Sequence, residues 1–134
     1  MPTFTKEERL CSQKLIDQLY SDGQRLMVSP FSVRWMVIPE SSRTGATPCQ
    51  VMMVVPKRKH KLAVDRNRGR RLMRECYRLQ KASLTDYLDT HGLQVAVAIV
   101  YIHNEIMPYE AMARKMHQLL LRLKSTLEQY ETRA

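Results

Sequence analysis

Residues 51–80 read VMMVVPKRKHKLAVDRNRGRRLMRECYRLQ. Five apolar residues, Val51 to Val55, suit a buried strand, which breaks at Pro56 and enters a lysine-rich loop. A helix is predicted from Asp65 to Gln80. At about 100° per residue, it gathers Gly69, Leu72, Met73, Cys76 and Leu79 on one side. Arg66, Arg70, Arg71, Arg74 and Arg78 gather on the opposite side. A buried strand feeding an amphipathic helix makes the chain α/β, and the later elements must supply the strands and helices that pack against this unit.

On the N-terminal side, Thr5 and Glu8 have the spacing of a capping box and predict a helix from Lys6 to Tyr20, with Leu15, Ile16, Leu19 and Tyr20 on one stripe. Leu26 to Val28 is a short candidate strand. Phe31 to Ile38 alternates, with Phe31, Val33, Trp35 and Val37 on one face and Ser32, Arg34, Met36 and Ile38 on the other. Pro39 to Pro48 reads as a loop. On the C-terminal side, the basic helix extends through Tyr87 and stops at His91-Gly92, Leu93 to Ile102 reads as a central strand, and a final helix begins near Pro108. Its apolar stripe is Met112, Met116, Leu119, Leu120, Leu123, Leu127 and Tyr130. The expected fold is a small α-β-β-β-α-β-α sandwich with a mostly antiparallel four-stranded sheet, a single domain over residues 1–134. Its strand–helix–strand crossover would by default be right-handed.

The chain carries 22 Lys and Arg against 13 Asp and Glu, a formal charge of +9. Residues 57–81 hold eleven of the basic residues and two of the acids, so the remainder is balanced at eleven of each. Arg66, Arg70, Arg74 and Arg78 follow one another at four-residue spacing, where like charges repel by a few tenths of a kcal/mol. That arrangement calls for a polyanion. Guanidinium groups bind phosphate through paired hydrogen bonds and stack on bases, which favours nucleic acid. An anionic membrane would want large apolar residues opposite the charge, where Gly69 and Cys76 stand. Asn67, at the helix entry, can cap the helix or contact a phosphate, sugar or base. Helix-turn-helix binding of DNA needs a helix just before Arg66, where Pro56 and a strand stand instead. The longest apolar run, Val95 to Ile102, is too short to span a bilayer. No signal peptide is visible. Three scattered cysteines, Cys11, Cys49 and Cys76, read as reduced thiols of a cytoplasmic protein. The four histidines lack zinc-ligand spacing, so no protein-held metal is expected.

The ordered stretch from Val55 to Arg78 resembles the signature of the protein subunit of bacterial ribonuclease P: a strand ending in a basic pair, a short loop with an alanine near its end, then Arg-Asn-Arg, a further basic pair, Arg-Glu and an aromatic-Arg. The resemblance implies the same element order with a left-handed βαβ crossover. It implies an accessory subunit of an endoribonuclease that removes the 5′ leader from precursor tRNA. The catalytic RNA subunit would perform the hydrolysis with Mg2+, and no catalytic residue would lie on the protein. Contacts to the catalytic RNA would come from Lys57, Arg58, Lys59, Arg66, Asn67, Arg68, Arg70, Arg71 and Arg74. The leader would lie between the first helix and the sheet, against Ile16, Tyr20 and Arg34. Relatives commonly carry a phenylalanine where Ile16 stands, and isoleucine cannot stack on a base. Gly69 stands where they usually carry a β-branched residue. The second reading is a non-enzymatic structural RNA-binding protein, for example a ribosome-associated one, which would bind mature and precursor tRNA equally. Nothing in the sequence resembles a protein nuclease, since it has neither a carboxylate cluster for two metals nor a histidine pair for acid and base work.

Overall fold

A computed structural model describes residues 4–42 and 47–133; part of the loop expected at 39–48 lies outside them. In chain order the elements are a 3-10 turn Lys6–Glu8, α1 Gln13–Asp22, β1 Gln24–Val28, β2 Phe31–Val37, a 3-10 turn Glu40–Ser42, β3 Cys49–Val54, α2 Ala63–Gln80, α3 Ala82–Thr90, β4 Val95–Tyr101 and α4 Tyr109–Arg133. The sheet order is β1-β2-β4-β3, with β3 and β4 parallel and the other pairs antiparallel.

The first helix differs from its prediction. The Thr5–Glu8 capping box forms, but it closes only a 3-10 turn. Arg9 is extended and bridges to Val51, and the Leu10 N–H donates to the Val51 carbonyl at 3.0 Å. Pairing with the outer edge of β3 therefore interrupts the helix. It restarts after Ser12, whose Oγ accepts from the Leu15 N–H at 3.3 Å. The expected extension of the basic helix is likewise a separate element. Lys81 closes α2 and opens α3, and α3 turns Leu84 and Leu88 into the core.

The sheet is covered on both faces. Phe31, Val33 and Trp35 of β2, with Val95, Val97, Ile99 and Tyr101 of β4, join Met73, Cys76 and Tyr77 of α2 and the α4 stripe from Met112 to Leu127 in the larger core, while Tyr130, expected on that stripe, stays largely exposed. On the opposite face Ala96 and Ala98 present small side chains, and α1 packs Leu15 and Leu19 there, with Leu10 and Ile38. Trp35 thus belongs to the core, 3% exposed and edge-on to Tyr130. The stripe of α2 is rotated from its predicted position: Tyr77 is buried, whereas Leu79 is 46% exposed. The Tyr77 ring meets Phe4 edge-on at 5.7 Å.

The hand of the crossover follows from the chirality of Val95. Its side chain lies in the larger core, on the face that α2 covers, and its N–H donates to the Pro48 carbonyl just before β3 at 2.9 Å. On the other side the Gln94 carbonyl accepts from Ile38, next to β2, at 2.7 Å. For an L-residue on a strand running upward with its side chain toward the viewer, the N–H points right. β3 is then to the right of β4, and the chain passes in front of the sheet from right to left. The crossover is left-handed, as the resemblance implied and against the usual rule.

Gly69 lets the β4–α4 connection seat on α2. A Cβ there would lie 2.9 Å from Ile106 Cδ1 and 3.1 Å from Val55 Cγ2. Gly69→Val should therefore destabilise the protein by about 1–3 kcal/mol through overpacking, although glycine is itself a poor helix former. Urea unfolding checks this, and adding Ile106→Ala to the same chain should recover part of the loss.

The cysteines differ in chemistry because they differ in burial. Cys49 and Cys76 are buried and Cys11 is exposed. Burial disfavours the thiolate, pushing the Cys49 thiol up to about 12 and Cys76 to about 11. Iodoacetamide at pH 8 should give one adduct, on Cys11, by mass spectrometry. The other two should react only in denaturant.

Candidate nucleic-acid interface

The loop between β3 and α2 is held by its own basic residues. Lys57 and Arg58 are exposed. Lys59 Nζ donates to the Ile102 carbonyl at 2.6 Å, and His60 Nε2 lies 2.8 Å from the His103 carbonyl, which it can only meet as a donor. Arg66 donates from one terminal nitrogen to the carbonyls of His60 and Lys61, both at 2.8 Å. Lys59 and Arg66, expected as contact residues, therefore also fix the path of the loop that presents Lys57 and Arg58.

Along α2, Asn67, Arg68 and Arg71 are exposed and Arg70 and Arg74 half-buried. The helix begins at Ala63, so Asn67 sits inside it and does not cap it; its Oδ1 accepts from Arg70. The opening is at Leu62, which offers no side-chain cap. Arg78 is occupied by Glu75 through Nε at 3.1 Å and a terminal nitrogen at 2.5 Å. That hydrogen bond holds the Glu75 carboxyl below its ordinary range. Arg74 is pushed the other way for a guanidinium. Partial burial, then the charges of Arg9 and Arg70, make its protonated form less favourable. Uncompensated crowding of cations is what a bound phosphate relieves. Sequence reasoning missed Arg9, which lies far from the basic segment. Its pairing with Val51 puts it on the edge of β3, beside that segment.

A second surface lies on the α1 side of the sheet. The Arg34 guanidinium donates to the Tyr20 carbonyl at 2.9 Å and sits 5.1 Å from the centroid of the Tyr20 ring. Such contacts stabilise by about 0.5–1 kcal/mol at exposed sites, and here the ring is steadied while 43% exposed. Ile16 is half-buried against the smaller core instead. Arg25, directly across the strand pair from Arg34, adds a second cation that sequence reasoning missed. The next row of this face, Met27, Ser32, Val100 and Val54, is in register across all four strands, and each member is at least partly exposed.

Among the described residues no group of three or more His, Cys, Asp or Glu side chains could hold a metal ion, and no helix is long and apolar enough to cross a membrane. An arginine helix on one side of a small sandwich, and an aromatic ring steadied by arginine on the other, are features of the nucleic-acid-binding class of proteins. The family model for ribonuclease P matches residues 4–124. A ribonuclease P protein component from Porphyromonas gingivalis is 30% identical over 124 residues, covering 91% of this chain and 88% of its own. The chain belongs to the ribonuclease P protein family. Two solved structures share its fold. A mutant RNase P protein of Staphylococcus aureus has a TM-score of 0.67 at 18% identity, covering 89% of this chain and 90% of its own. The RNase P protein from Thermotoga maritima has a TM-score of 0.63 at 20% identity, covering 86% and 96%.

Proposed function

We propose that the protein binds the catalytic RNA of ribonuclease P through α2 and the preceding loop, and holds the 5′ leader of precursor tRNA between α1 and the sheet. The observation that carries this reading is the confinement of the chain's excess positive charge to residues 57–81, on a helix whose arginines, Arg78 apart, have no acidic partner among the described residues. Lys57, Arg58, Arg68, Arg70, Arg71 and Arg74 contact phosphate, with Arg9 beside Arg74. Asn67 orients Arg70, while Lys59 and Arg66 keep the loop in place. Tyr20 offers one stacking surface to the leader, flanked by Arg34 and Arg25. Ile16 supports α1 from the smaller core and supplies at most its aliphatic edge to the leader.

In this reading the RNA performs the hydrolysis with Mg2+ in the cytoplasm. The protein contributes cations that lower phosphate repulsion between the two RNAs, and so reduces the magnesium they need. Purified protein added to its catalytic RNA and a precursor tRNA at low magnesium should restore 5′ cleavage. Absence of stimulation at every protein concentration would overturn the reading. Equal binding of mature and precursor tRNA would instead favour a structural RNA-binding protein. With about six phosphate contacts, log affinity should fall against log salt with a slope of about −4 to −5.

A further inference from the structure

A groove lies between the C-terminal end of α2 and the first turns of α4, lined by Gln80, Tyr109, Ala113, Arg114, His117 and Gln118. Its volume of about 490 Å³ falls within the roughly 300–1,000 Å³ of small-ligand sites. Its lining combines an aromatic ring 40% exposed, a guanidinium, an imidazole and two amides, with no carboxylate among them. Glu110, the acid nearest in sequence to Tyr109, is not part of the lining.

We propose that this groove binds an unpaired nucleotide of the catalytic RNA, with its base stacked on Tyr109 and its phosphate at Arg114. Bases of every kind stack on aromatic side chains, and arginine pairs with phosphate oxygens. His117 and Gln118 supply donors and acceptors for the base edge. Gln80 is anchored by its Nε2, which donates to the Ala113 carbonyl at 3.0 Å and ties the two helices together at the floor. The groove continues the arginine face: Gln80, two residues beyond Arg78, the last arginine of α2, is part of its lining. The Tyr20–Arg34 surface lies on the opposite face of the sheet, which assigns the groove to the catalytic RNA and not to the leader. The inference rests on the functional reading above and extends its RNA footprint from α2 onto α4.

The test measures binding of the protein to its catalytic RNA across a salt series. Tyr109→Ala should raise Kd by about 5- to 150-fold, the range expected for one stacked base. Tyr109→Phe, which keeps the ring, should bind like the unaltered protein. Arg114→Gln, at an exposed position, should reduce the salt slope by about one. Ultraviolet crosslinks in the unaltered complex should map to Tyr109. Unaltered binding by both Tyr109→Ala and Arg114→Gln would overturn the proposal, provided the unaltered protein itself binds this RNA. An effect confined to substrates bearing a leader would also overturn it. Failure of the unaltered protein to bind would overturn the functional reading itself.

Discussion

Replacing Arg70, Arg71 and Arg74 together by alanine is expected to weaken binding to the catalytic RNA by about 100-fold at 0.15 M salt. The figure follows from counterion release: each phosphate contact contributes roughly 0.7–0.9 to the log–log slope, so three contacts contribute about 2–3. The slope should flatten to about −2, and the affinities of altered and unaltered protein should converge as salt rises. The fold should survive the change. Arg71 is exposed, Arg70 donates to an exposed Asn67, and Arg74 is held against burial and the charges of Arg9 and Arg70. Its removal relieves repulsion, so thermal stability should be unchanged or higher while RNA binding falls. Arg66 is left out of the set because it bonds to the loop carbonyls of His60 and Lys61; its loss would disturb the loop as well as the charge. A full salt slope in the triple variant would place the RNA surface elsewhere.

Much of this is legible in the sequence alone, for physical reasons that differ by element. β2 declares itself because one face is buried and the other is not, and that difference is written as alternation at every second residue. The arginine helix is legible because eleven positive charges in 25 residues far exceed the two acids that could balance them there. Failures arose where tertiary contacts competed with local signals. The Thr5–Glu8 box satisfies its turn, yet Arg9 and Leu10 gain more from pairing with the open edge of β3 than from continuing the helix. On α2, periodicity assigned Leu79 to the core because it is apolar, but Phe4 lies against the other flank and takes Tyr77. The hydroxyl of Tyr77 concealed it from a hydrophobicity pattern.

The candidate site divides in the same way. The residues proposed to bind phosphate lie within one short segment, Lys57 to Arg74, which is why a charge count reaches them together. Arg9, Arg25 and Tyr109 come from regions whose charges balance or whose residues look unremarkable, and only the sheet register and the docking of α4 bring them to the surfaces concerned. The split in roles within the basic segment was also hidden. A sequence shows a positive charge at Lys59 and Arg66 but not the carbonyl groups of Ile102, His60 and Lys61 that take up their hydrogen bonds.

The N-terminal 3-10 turn joins stability to the proposed binding surface, and Glu8→Ala should reveal the link. The Glu8 carboxylate accepts from the Thr5 N–H at 3.0 Å and Oγ at 3.2 Å, and pairs with Lys81. The two charged side chains are only 12% and 15% exposed. Removing one partner of a buried pair leaves the other charge desolvated, which typically costs about 3–5 kcal/mol. Unfolding free energy should fall by about 3 kcal/mol, allowing for residual exposure of the pair, and Tm by roughly 10 °C for a chain of this size. Replacing both partners by methionine should be markedly less damaging, because no uncompensated charge remains. The consequence for function is local. Glu8 precedes Arg9, so loosening the turn frees Arg9 from the edge of β3 and from Arg74. Glu8→Ala should therefore weaken catalytic-RNA binding at temperatures where the protein is still folded, with the salt slope smaller by up to about one contact. Binding that tracks only the folded fraction would separate Arg9 from the RNA surface and leave the Glu8–Lys81 pair a purely structural role.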